Sequence, residues 1–348
     1  MKRILILTSF SLILGSCKSP TASVSYFVPS ASAVYVLNQG YFGQGNSTLT
    51  AYYPDSNRTV NDVFKLANGR NLGDFGNDIA IYGNDAYMVI NNSDKIEVMD
   101  ATSGLSVGTV YFPSGTSPYR IAFDPLSDVA FVSDLYTNSV SVVNLSSNVL
   151  ISQDTISVGK EPYGIAFVNG QVFVANSGYG SGNTVSVIDA TTRKVVKTVT
   201  VGAGPTEVEA DENGNVWVAC PGQQGSVGSI YIISPSTDSV TDSINTGMQI
   251  PSFTGHTLTI DTRNGVAYLI ADSSVVKLDV STHKILDKSL ISGSFYGISV
   301  DEATGNVYVT DAKGGKTNGV VYIYTSSGQY TNRSFTAGLY PDGIAFLR

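Results

Sequence analysis

The chain has 348 residues and a mass of 36.7 kDa, which suits two or three average domains or one large all-β domain. Charged residues make up 14% of the sequence, whereas glycine occurs 35 times and tyrosine 20 times. This composition argues against a helical bundle, a coiled coil or a disordered chain. The formal net charge of -8 argues against a nucleic-acid partner, which would need a basic face. Two cysteines are too few for a disulfide framework or a cysteine-rich zinc site.

Residues 1–16 have the pattern of a signal peptide. Two basic residues precede the apolar stretch 4–14, which is too short to span a bilayer, since that takes about 20 residues. The stretch ends in Leu-Gly-Ser-Cys at 14–17, which resembles a bacterial lipobox. This resemblance implies cleavage before Cys17 and lipidation of that cysteine. The alternative is an ordinary secretory signal with a chance cysteine.

Cleavage and lipidation would change the charge and the anchoring of the chain. Residues 17–32 would form the lipidated cysteine and a flexible tether, because they are small, polar and proline-containing. Loss of two basic residues leaves 18 basic and 28 acidic side chains, or -10. Cys220 would then have no partner for an internal disulfide. We expect lipid anchoring without a spanning helix, at the outer membrane and on the cell surface, although the leaflet stays open because no acidic residues follow Cys17.

One structural unit repeats along the rest of the chain. Its clearest part, here called the marker strand, is short and apolar, contains an aromatic residue and usually ends in a polar one, as in VAFVSD at 129–134. The seven aromatic residues lie 40 to 52 positions apart, which is the length of a four-stranded propeller blade. They are Tyr35, Tyr87, Phe131, Phe173, Trp217, Tyr268 and Tyr308.

Each marker strand follows an apolar first strand and a tight turn, and precedes a variable loop and two further strands. Alternation with period two and Gly, Asn and Asp punctuation is typical of strands, and no window shows a convincing helical period. The chain enters the repeat at the marker strand 34–38, and residues 340–346 match a first strand. We therefore predict an all-β, seven-bladed β-propeller over residues 33–348, closed by the C-terminal strand joining the N-terminal blade.

Loops of such blades alternate between two faces. The tight-turn face carries short polar turns, whereas the loop-rich face carries long variable loops rich in Tyr, Phe, Asn and Asp. Because function usually resides on variable loops held by a rigid scaffold, we place the ligand site on the loop-rich face. Its candidate residues stand at the starts of first strands or in loops after marker strands: Tyr41, Phe42, Asn77, Asp78, Asn92, Tyr119, Arg120, Tyr136, Tyr163, Tyr179, Glu207, His256, Tyr296 and Asp342.

Aromatic rings with a few polar groups suit a large, flat, partly polar small molecule. The alternative is that these tyrosines pack blade against blade. Glycine-rich stretches at 178–183 and 315–317 lack residues that nucleotide-binding loops require. We therefore expect no nucleotide cofactor, and we also predict no metal site.

Catalytic arrangements are weakly supported by the sequence. Cys220 and His256 could approach each other across neighbouring blades, but a small buried cysteine is the commoner case. Acidic residues at the channel mouth could pair as acid and base, although nothing in their spacing demands it. We expect His283 in an exposed turn of the tight-turn face. The chain is predicted to be a binding protein and not an enzyme.

The pattern of PYGIAF, VFVANS and TVSVIDATTRKVV within 162–196 resembles the YVTN-type β-propeller repeat, over essentially all of the mature chain. Residues 36–100 look like the first blades of Bacteroidetes propeller lipoproteins, some of which capture cobalamin and pass it to a TonB-dependent transporter. This resemblance implies a corrinoid ligand stacked on the tyrosine-rich mouth and a transporter as partner. It also implies that Arg120, Asp78 and Glu207 meet the ligand's amides and phosphate, while His256 approaches the metal or only donates a hydrogen bond.

Two other functions suit the same residues. The propeller could be a cell-envelope scaffold that binds proteins or glycans through its loops. A propeller lyase is less well supported, because such lyases use a histidine with a metal and only His256 is suitably placed. We expect a monomeric propeller, since no strongly hydrophobic extra surface is visible in the sequence.

Overall fold

A computed structural model describes residues 32–151, 155–223, 225–252 and 254–348. The predicted signal peptide, the lipidation site Cys17 and nearly all of the predicted tether lie outside these residues. Among the described residues, none of the helices has the length and apolar character needed to cross a membrane.

The first four blades are antiparallel sheets built from short strands. Blade 1 contains β1 (Ala33–Asn38), β2 (Thr48–Tyr53), β3 (Arg58–Val60) and, from the other end of the chain, β29 (Pro341–Leu347). Blade 2 contains β4 (Gly76–Tyr82), β5 (Asp85–Ile90), β6 (Lys95–Asp100) and β7 (Ser106–Tyr111). Blade 3 contains β8 (Pro118–Asp124), β9 (Val129–Asp134), β10 (Ser139–Asn144), β11 (Val149–Leu150) and β12 (Ile156–Ser157). Blade 4 contains β13 (Pro162–Val168), β14 (Gln171–Asn176), β15 (Thr184–Asp189) and β16 (Lys194–Thr200).

The remaining three blades repeat the same order. Blade 5 contains β17 (Glu207–Ala210), β18 (Val216–Cys220), β19 (Ser229–Ser234) and β20 (Ser239–Asn245). Blade 6 contains β21 (Leu258–Asp261), β22 (Val266–Ala271), β23 (Ser274–Asp279) and β24 (Lys284–Ser292). Blade 7 contains β25 (Gly297–Asp301), β26 (Asn306–Asp311), β27 (Val320–Tyr324) and β28 (Tyr330–Thr336). Three single 3₁₀ turns, Asn91–Ser93, Gly178–Gly180 and Lys313–Gly315, follow marker strands.

The seven predicted marker strands are the second strands of the seven blades, which confirms the sequence repeat. Their aromatic side chains are at most 3% exposed. The described residues contain seven buried apolar clusters. Each cluster combines side chains from two neighbouring blades. The core is therefore distributed between the blades, and every blade depends on both of its neighbours for burial.

Ring closure occurs as predicted. Strand β29 pairs antiparallel with β1, with Val34 opposite Phe346 and Val36 opposite Ile344. The first strand of each blade contacts its two neighbours around the axis, in the order β29, β4, β8, β13, β17, β21, β25 and back to β29. Closure satisfies the inner edge of β1, which would otherwise be a free edge open to aggregation.

One helix departs from the predicted all-strand pattern. Helix α1 (Val63–Asn68) lies between β3 and β4 and ends at Gly69, whose φ of 67° is the left-handed conformation of a helix C-cap. Val63 and Phe64 are buried in the cluster between blades 1 and 2. Six residues are fewer than two helical turns, so the segment is too short to produce a helical period in the sequence.

In blades 1 and 4, a buried amide at the end of the marker strand bonds to its own blade and to the segment that connects this blade to the preceding one. The Nδ2 group of Asn176 donates to Thr184 and Ser186, each at 3.0 Å, and its Oδ1 accepts the backbone N–H of Gly159 at 2.9 Å. Asn38 makes the equivalent three bonds in blade 1. An amide suits this position because it both donates and accepts.

Blade 3 has a carboxyl group, Asp134, at the corresponding position. Its Oδ2 accepts hydrogen bonds from Ser139 at 3.1 Å and Ser141 at 2.7 Å, whereas no described atom hydrogen-bonds to its buried Oδ1. Burial raises the pKa of Asp134 to about 7, because a charge is poorly solvated there.

We predict that Asp134→Asn raises the free energy of unfolding of the propeller by about 1–3 kcal/mol at about pH 8. The gain should be smaller at about pH 5. The pKa of Asp134 is higher in the folded state, so its favourable contribution is complete at low pH and is lost as the pH rises through about 7. Urea unfolding at the two pH values measures the difference. The exposed Asp55→Asn is the control, and an equal gain at both pH values would contradict the prediction.

Candidate functional site

Five of the predicted site residues meet around the propeller axis. Asp78, Arg120, Glu207 and Asp342 lie on the inner strands β4, β8, β17 and β29, and His256 lies two residues before β21. We call these five residues the axial charge cluster. Four of them are at most 6% exposed, and the side chain of His256 is 21% exposed. The first strands of the blades converge on the axis, so residues near their starts come together.

The cluster is held by ion pairs that cross between blades. Arg120 lies 3.6 Å from the Glu207 carboxylate and 3.7 Å from that of Asp342, and it also donates to the backbone carbonyl of Asn77. The imidazole of His256 lies 3.2 Å from Asp78 and 3.4 Å from Glu207. A buried charge is stable only when it is paired, so these groups stabilise one another.

The pairing sets the protonation of His256. Burial and the charge of Arg120 lower its pKa, but Glu207 and Asp78 more than compensate and raise it from 6.5 to about 10. For Asp78, burial acts to raise the pKa, whereas the hydrogen bond and charge of His256 bring it below the ordinary value. The charged imidazolium is therefore the favoured form of His256 at neutral pH, in which both ring nitrogens can donate to the carboxylates of Asp78 and Glu207.

A glutamine connects the cluster to the tyrosines of the loop-rich face. Gln39 follows β1, donates to Asp342 at 2.8 Å and accepts the hydroxyl of Tyr296 at 2.6 Å. The backbone N–H of His256 also donates to Asp342, at 3.0 Å. Sequence analysis missed Gln39, although its position directly after the first marker strand is available from the repeat.

Tyrosines close the mouth of the channel on the loop-rich face. The rings of Tyr119 and Tyr163 contact edge to face with centroids 4.5 Å apart, and Tyr296 and Tyr340 lie 5.5 Å apart. The space beneath Tyr119 is about 10 Å³, the size of a single water molecule. Tyr340 was not among the predicted site residues, although it is the first residue of the recognised first-strand match at 340–346.

The other predicted residues lie on the rim of the loop-rich face. Burial and a hydrogen bond with Tyr136 raise the pKa of Tyr179, whose ring contacts Tyr163 with centroids 6.2 Å apart. Tyr41 contacts Tyr340 edge to face at 6.0 Å, and its hydroxyl donates to the carbonyl of Gly315. These contacts hold the rim tyrosines beside the closed mouth.

Phe42 and Asn92 lie on the part of this rim that borders the seam between blades 1 and 2. Phe42 packs against Phe75 with centroids 5.6 Å apart, and Asn92 donates to Asp74 at 2.9 Å. The side chain of Asn77 is 1% exposed, and neither its Nδ2 nor its Oδ1 has a partner among the described residues. Phe42, Asn92 and the amide of Asn77 therefore do not join the ion pairs of the cluster.

The larger space on the axis lies on the other side of the cluster. This axial cavity has a volume of about 340 Å³. Ala210, Thr262 and Glu302, which stand beside the tight turns and are half-buried, line its outer end. The cavity thus opens on the tight-turn face, although the sequence analysis sought a site only on the loop-rich face. Its lining also includes Asp78, Arg120, Glu207, Glu209 and His256.

Neither the second histidine nor the cysteine joins the axial charge cluster. Cys220 lies in the apolar cluster between blades 4 and 5, and burial raises its pKa to about 12. His283 is half-buried, not exposed as predicted, because it packs against Trp217 at 5.6 Å and pairs with Asp242 at 2.8 Å. Within the described part of the chain, no group of three or more His, Cys, Asp or Glu side chains could hold a metal ion.

The family described as a domain of unknown function (DUF5074) matches residues 32–341. The chain belongs to this family. The match spans essentially the whole propeller of this DUF5074 protein, from Ser32 to the first residue of β29. No curated protein matches the sequence.

Solved structures similar to this DUF5074 protein have diverse names. A quinonprotein alcohol dehydrogenase-like protein from Bacteroides thetaiotaomicron is 15% identical, with a TM-score of 0.69 over 92% of this chain and 79% of that one. A Kuenenia stuttgartiensis hydrazine synthase is 18% identical, with a TM-score of 0.61 over 72% and 76%. A streptogramin B lyase is 12% identical, with a TM-score of 0.59 over 78% and 86%. At these identities the similarity establishes the propeller fold alone.

We expect the His256 imidazole to stay protonated from about pH 5 to about pH 8, because its neighbouring carboxylates stabilise the charged form. Its stabilising contribution is complete below the unfolded value of 6.5 and is lost as the pH rises through about 10. NMR titration of the ring protons, assigned with a His283→Gln variant, measures this. A midpoint near the unperturbed value would contradict the ion-pair geometry.

The Cys220 thiol should be unreactive in the folded chain, because it is 1% exposed and its pKa is raised. In a Cys17→Ser chain it is the single thiol. We expect its reaction with a disulfide reagent at about pH 8 to be at least about 100-fold slower in the folded chain than in urea. Comparable rates in both conditions would show that the thiol is accessible.

Proposed function

We propose that this DUF5074 protein is a binding protein that captures a large, flat, partly polar small molecule on its loop-rich face. One observation carries the proposal. Four rim aromatic side chains stay exposed on this face, by 41% at Tyr41, 59% at Phe42, 54% at Tyr136 and 44% at Tyr179. Exposed aromatic groups on one face of a rigid scaffold are characteristic of binding surfaces.

The packing beneath the rim supports a shallow site. Tyr119, Tyr163 and Tyr296 contact neighbouring groups and leave little space at the mouth, so a ligand would rest on them instead of entering the channel. Arg120 and Glu207 are already engaged with each other below this floor. In the proposed site they support the tyrosines, which differs from the direct ligand contacts implied by the family resemblance.

A corrinoid is the proposed ligand, and a TonB-dependent transporter is the proposed recipient. Both follow from the resemblance of residues 36–100 to the cobalamin-capturing propeller lipoproteins. Lipidation of Cys17 and attachment to the outer membrane, facing the cell surface, complete the proposal. A macrocycle with apolar faces and amide edges matches a surface of tyrosine rings and hydroxyl groups.

We also propose that the chain binds without catalysing a reaction. The two candidate catalytic groups, His256 and Cys220, are chemically unsuited to nucleophilic catalysis at neutral pH. His256 is held as an imidazolium, and Cys220 is a buried thiol with a raised pKa. Nucleophilic catalysis needs an activated nucleophile beside a free base.

Titration with cyanocobalamin, followed by heat and visible absorbance, tests the proposed ligand. We expect one-to-one binding at micromolar concentration or tighter, and at least ten-fold weaker binding for Tyr136→Ser combined with Tyr179→Ser, since aromatic anchors dominate such sites. Tyr111→Ser is the matched control, because Tyr111 is 71% exposed on the outer strand β7.

The absence of heat and spectral change would refute the corrinoid assignment. Equal weakening by the control substitution would instead refute the rim as the binding surface. In either case, an envelope protein recovered in stoichiometric amount, or a glycan bound through the rim, would establish the alternative function as an interaction scaffold.

A further inference from the structure

The axial cavity is separate from the rim of the loop-rich face. The tyrosine floor and the axial charge cluster lie between the two surfaces. A volume of about 340 Å³ is near the lower end of the range for small-molecule sites. An inference about this cavity therefore does not rest on the proposed capture function.

The wall of the axial cavity has an excess of carboxyl groups. Asp78, Glu207, Glu209 and Glu302 face two cationic residues, Arg120 and His256. The carboxylates of Asp78 and Glu207 are already paired with these cations. The carboxyl groups without a cationic partner are therefore those of Glu209 and Glu302, and a cation that enters the cavity can pair with them.

Glu209 is the one of these carboxyl groups with no partner. It lies on β17 two residues after Glu207, and alternation along the strand turns both side chains toward the axis. No hydrogen bond or ion pair to its carboxyl group occurs among the described residues, whereas Glu302 accepts two hydrogen bonds from Thr262. An unpaired, half-buried carboxyl group on a cavity wall is available to a ligand.

Arg120, which also lines the cavity, has a second unpaired polar group in its buried Nε–H. Arg120 is 4% exposed and its Nη atoms are engaged, but its Nε–H has no acceptor among the described residues. A buried donor without an acceptor is unfavourable, and a ligand oxygen would satisfy it. The cavity thus combines one free carboxyl group with one free donor.

We propose that the axial cavity is a second binding site, which takes a small protonated amine that also carries hydroxyl oxygens and enters from the tight-turn face. The ammonium group pairs with Glu209, and a hydroxyl oxygen accepts from Arg120. A small anion is disfavoured, because the carboxylates of Asp78, Glu207 and Glu302 would repel it.

The protonation of Glu209 adds a measurable signature. Burial raises the pKa of Glu209 to about 8; His256 and Arg120 act to lower it, and Glu207 and Asp78 to raise it. Glu302 also lines the cavity. Glu209 is therefore mostly protonated at neutral pH, and pairing with an ammonium group requires it to lose its proton. Binding should release close to one proton at about pH 7 and become tighter toward about pH 8.

The probe is 3-amino-1,2-propanediol, with glycerol as a neutral analogue of nearly the same shape. Titration of the purified chain by calorimetry, in buffers of different ionisation enthalpy, measures affinity and proton release together. We expect glycerol to bind at least ten-fold more weakly, because it lacks the ammonium group. Equal affinity for the two compounds, or no heat with the amine up to tens of millimolar, would overturn the proposal.

Two isosteric variants locate the site. Glu209→Gln should weaken amine binding at least ten-fold and abolish proton release, whereas Glu212→Gln, an exposed residue of the adjacent tight turn, should leave both unchanged. Binding at the loop-rich face should be unaffected by either variant, so failure of the two proposed sites can be distinguished. Unchanged amine affinity in Glu209→Gln would overturn the assignment, and proton release by the unmodified chain remains decisive should this variant not fold.

Discussion

Closure of the ring by β29 against β1 is the constraint on which the other features depend. Seven sheets that share seven interfaces can bury their aromatic residues only when no interface is left open. Closure also sets how closely the inner strands approach the axis. At Gly255 a Cβ atom would lie 2.2 Å from a carboxylate oxygen of Asp342, so glycine is needed for that approach.

The same convergence explains why charged groups are buried on the axis. Four inner strands and the segment before β21 bring the axial charge cluster together on the axis. Removing these charges from water is unfavourable, and their mutual pairing offsets much of that cost. The consequence for chemistry is that His256, the histidine nearest the axis, is held in its charged form.

The two faces of the propeller therefore have different chemistry. The loop-rich face presents exposed aromatic rings around a packed tyrosine floor, which suits contact with an extended surface of a ligand. The tight-turn face opens into a narrow acidic cavity, which suits a compact cation. The cluster between them separates these surfaces, because its side chains fill the axis at that level.

The sequence by itself determined the architecture, because marker strands and the matching chain ends repeat a local pattern. It also identified the residues that meet on the axis, since homologous positions of repeated blades occupy equivalent places. Tertiary structure alone decided which way the cavity opens and that the mouth tyrosines pack together. It also decided that Gln39 bonds to the axial charge cluster and that Glu209 lines the axial cavity. These outcomes depend on contacts such as that between Gln39 and Asp342, 303 positions apart. Side-chain packing across the axis has no periodic trace in the sequence, so the repeat could not reveal it.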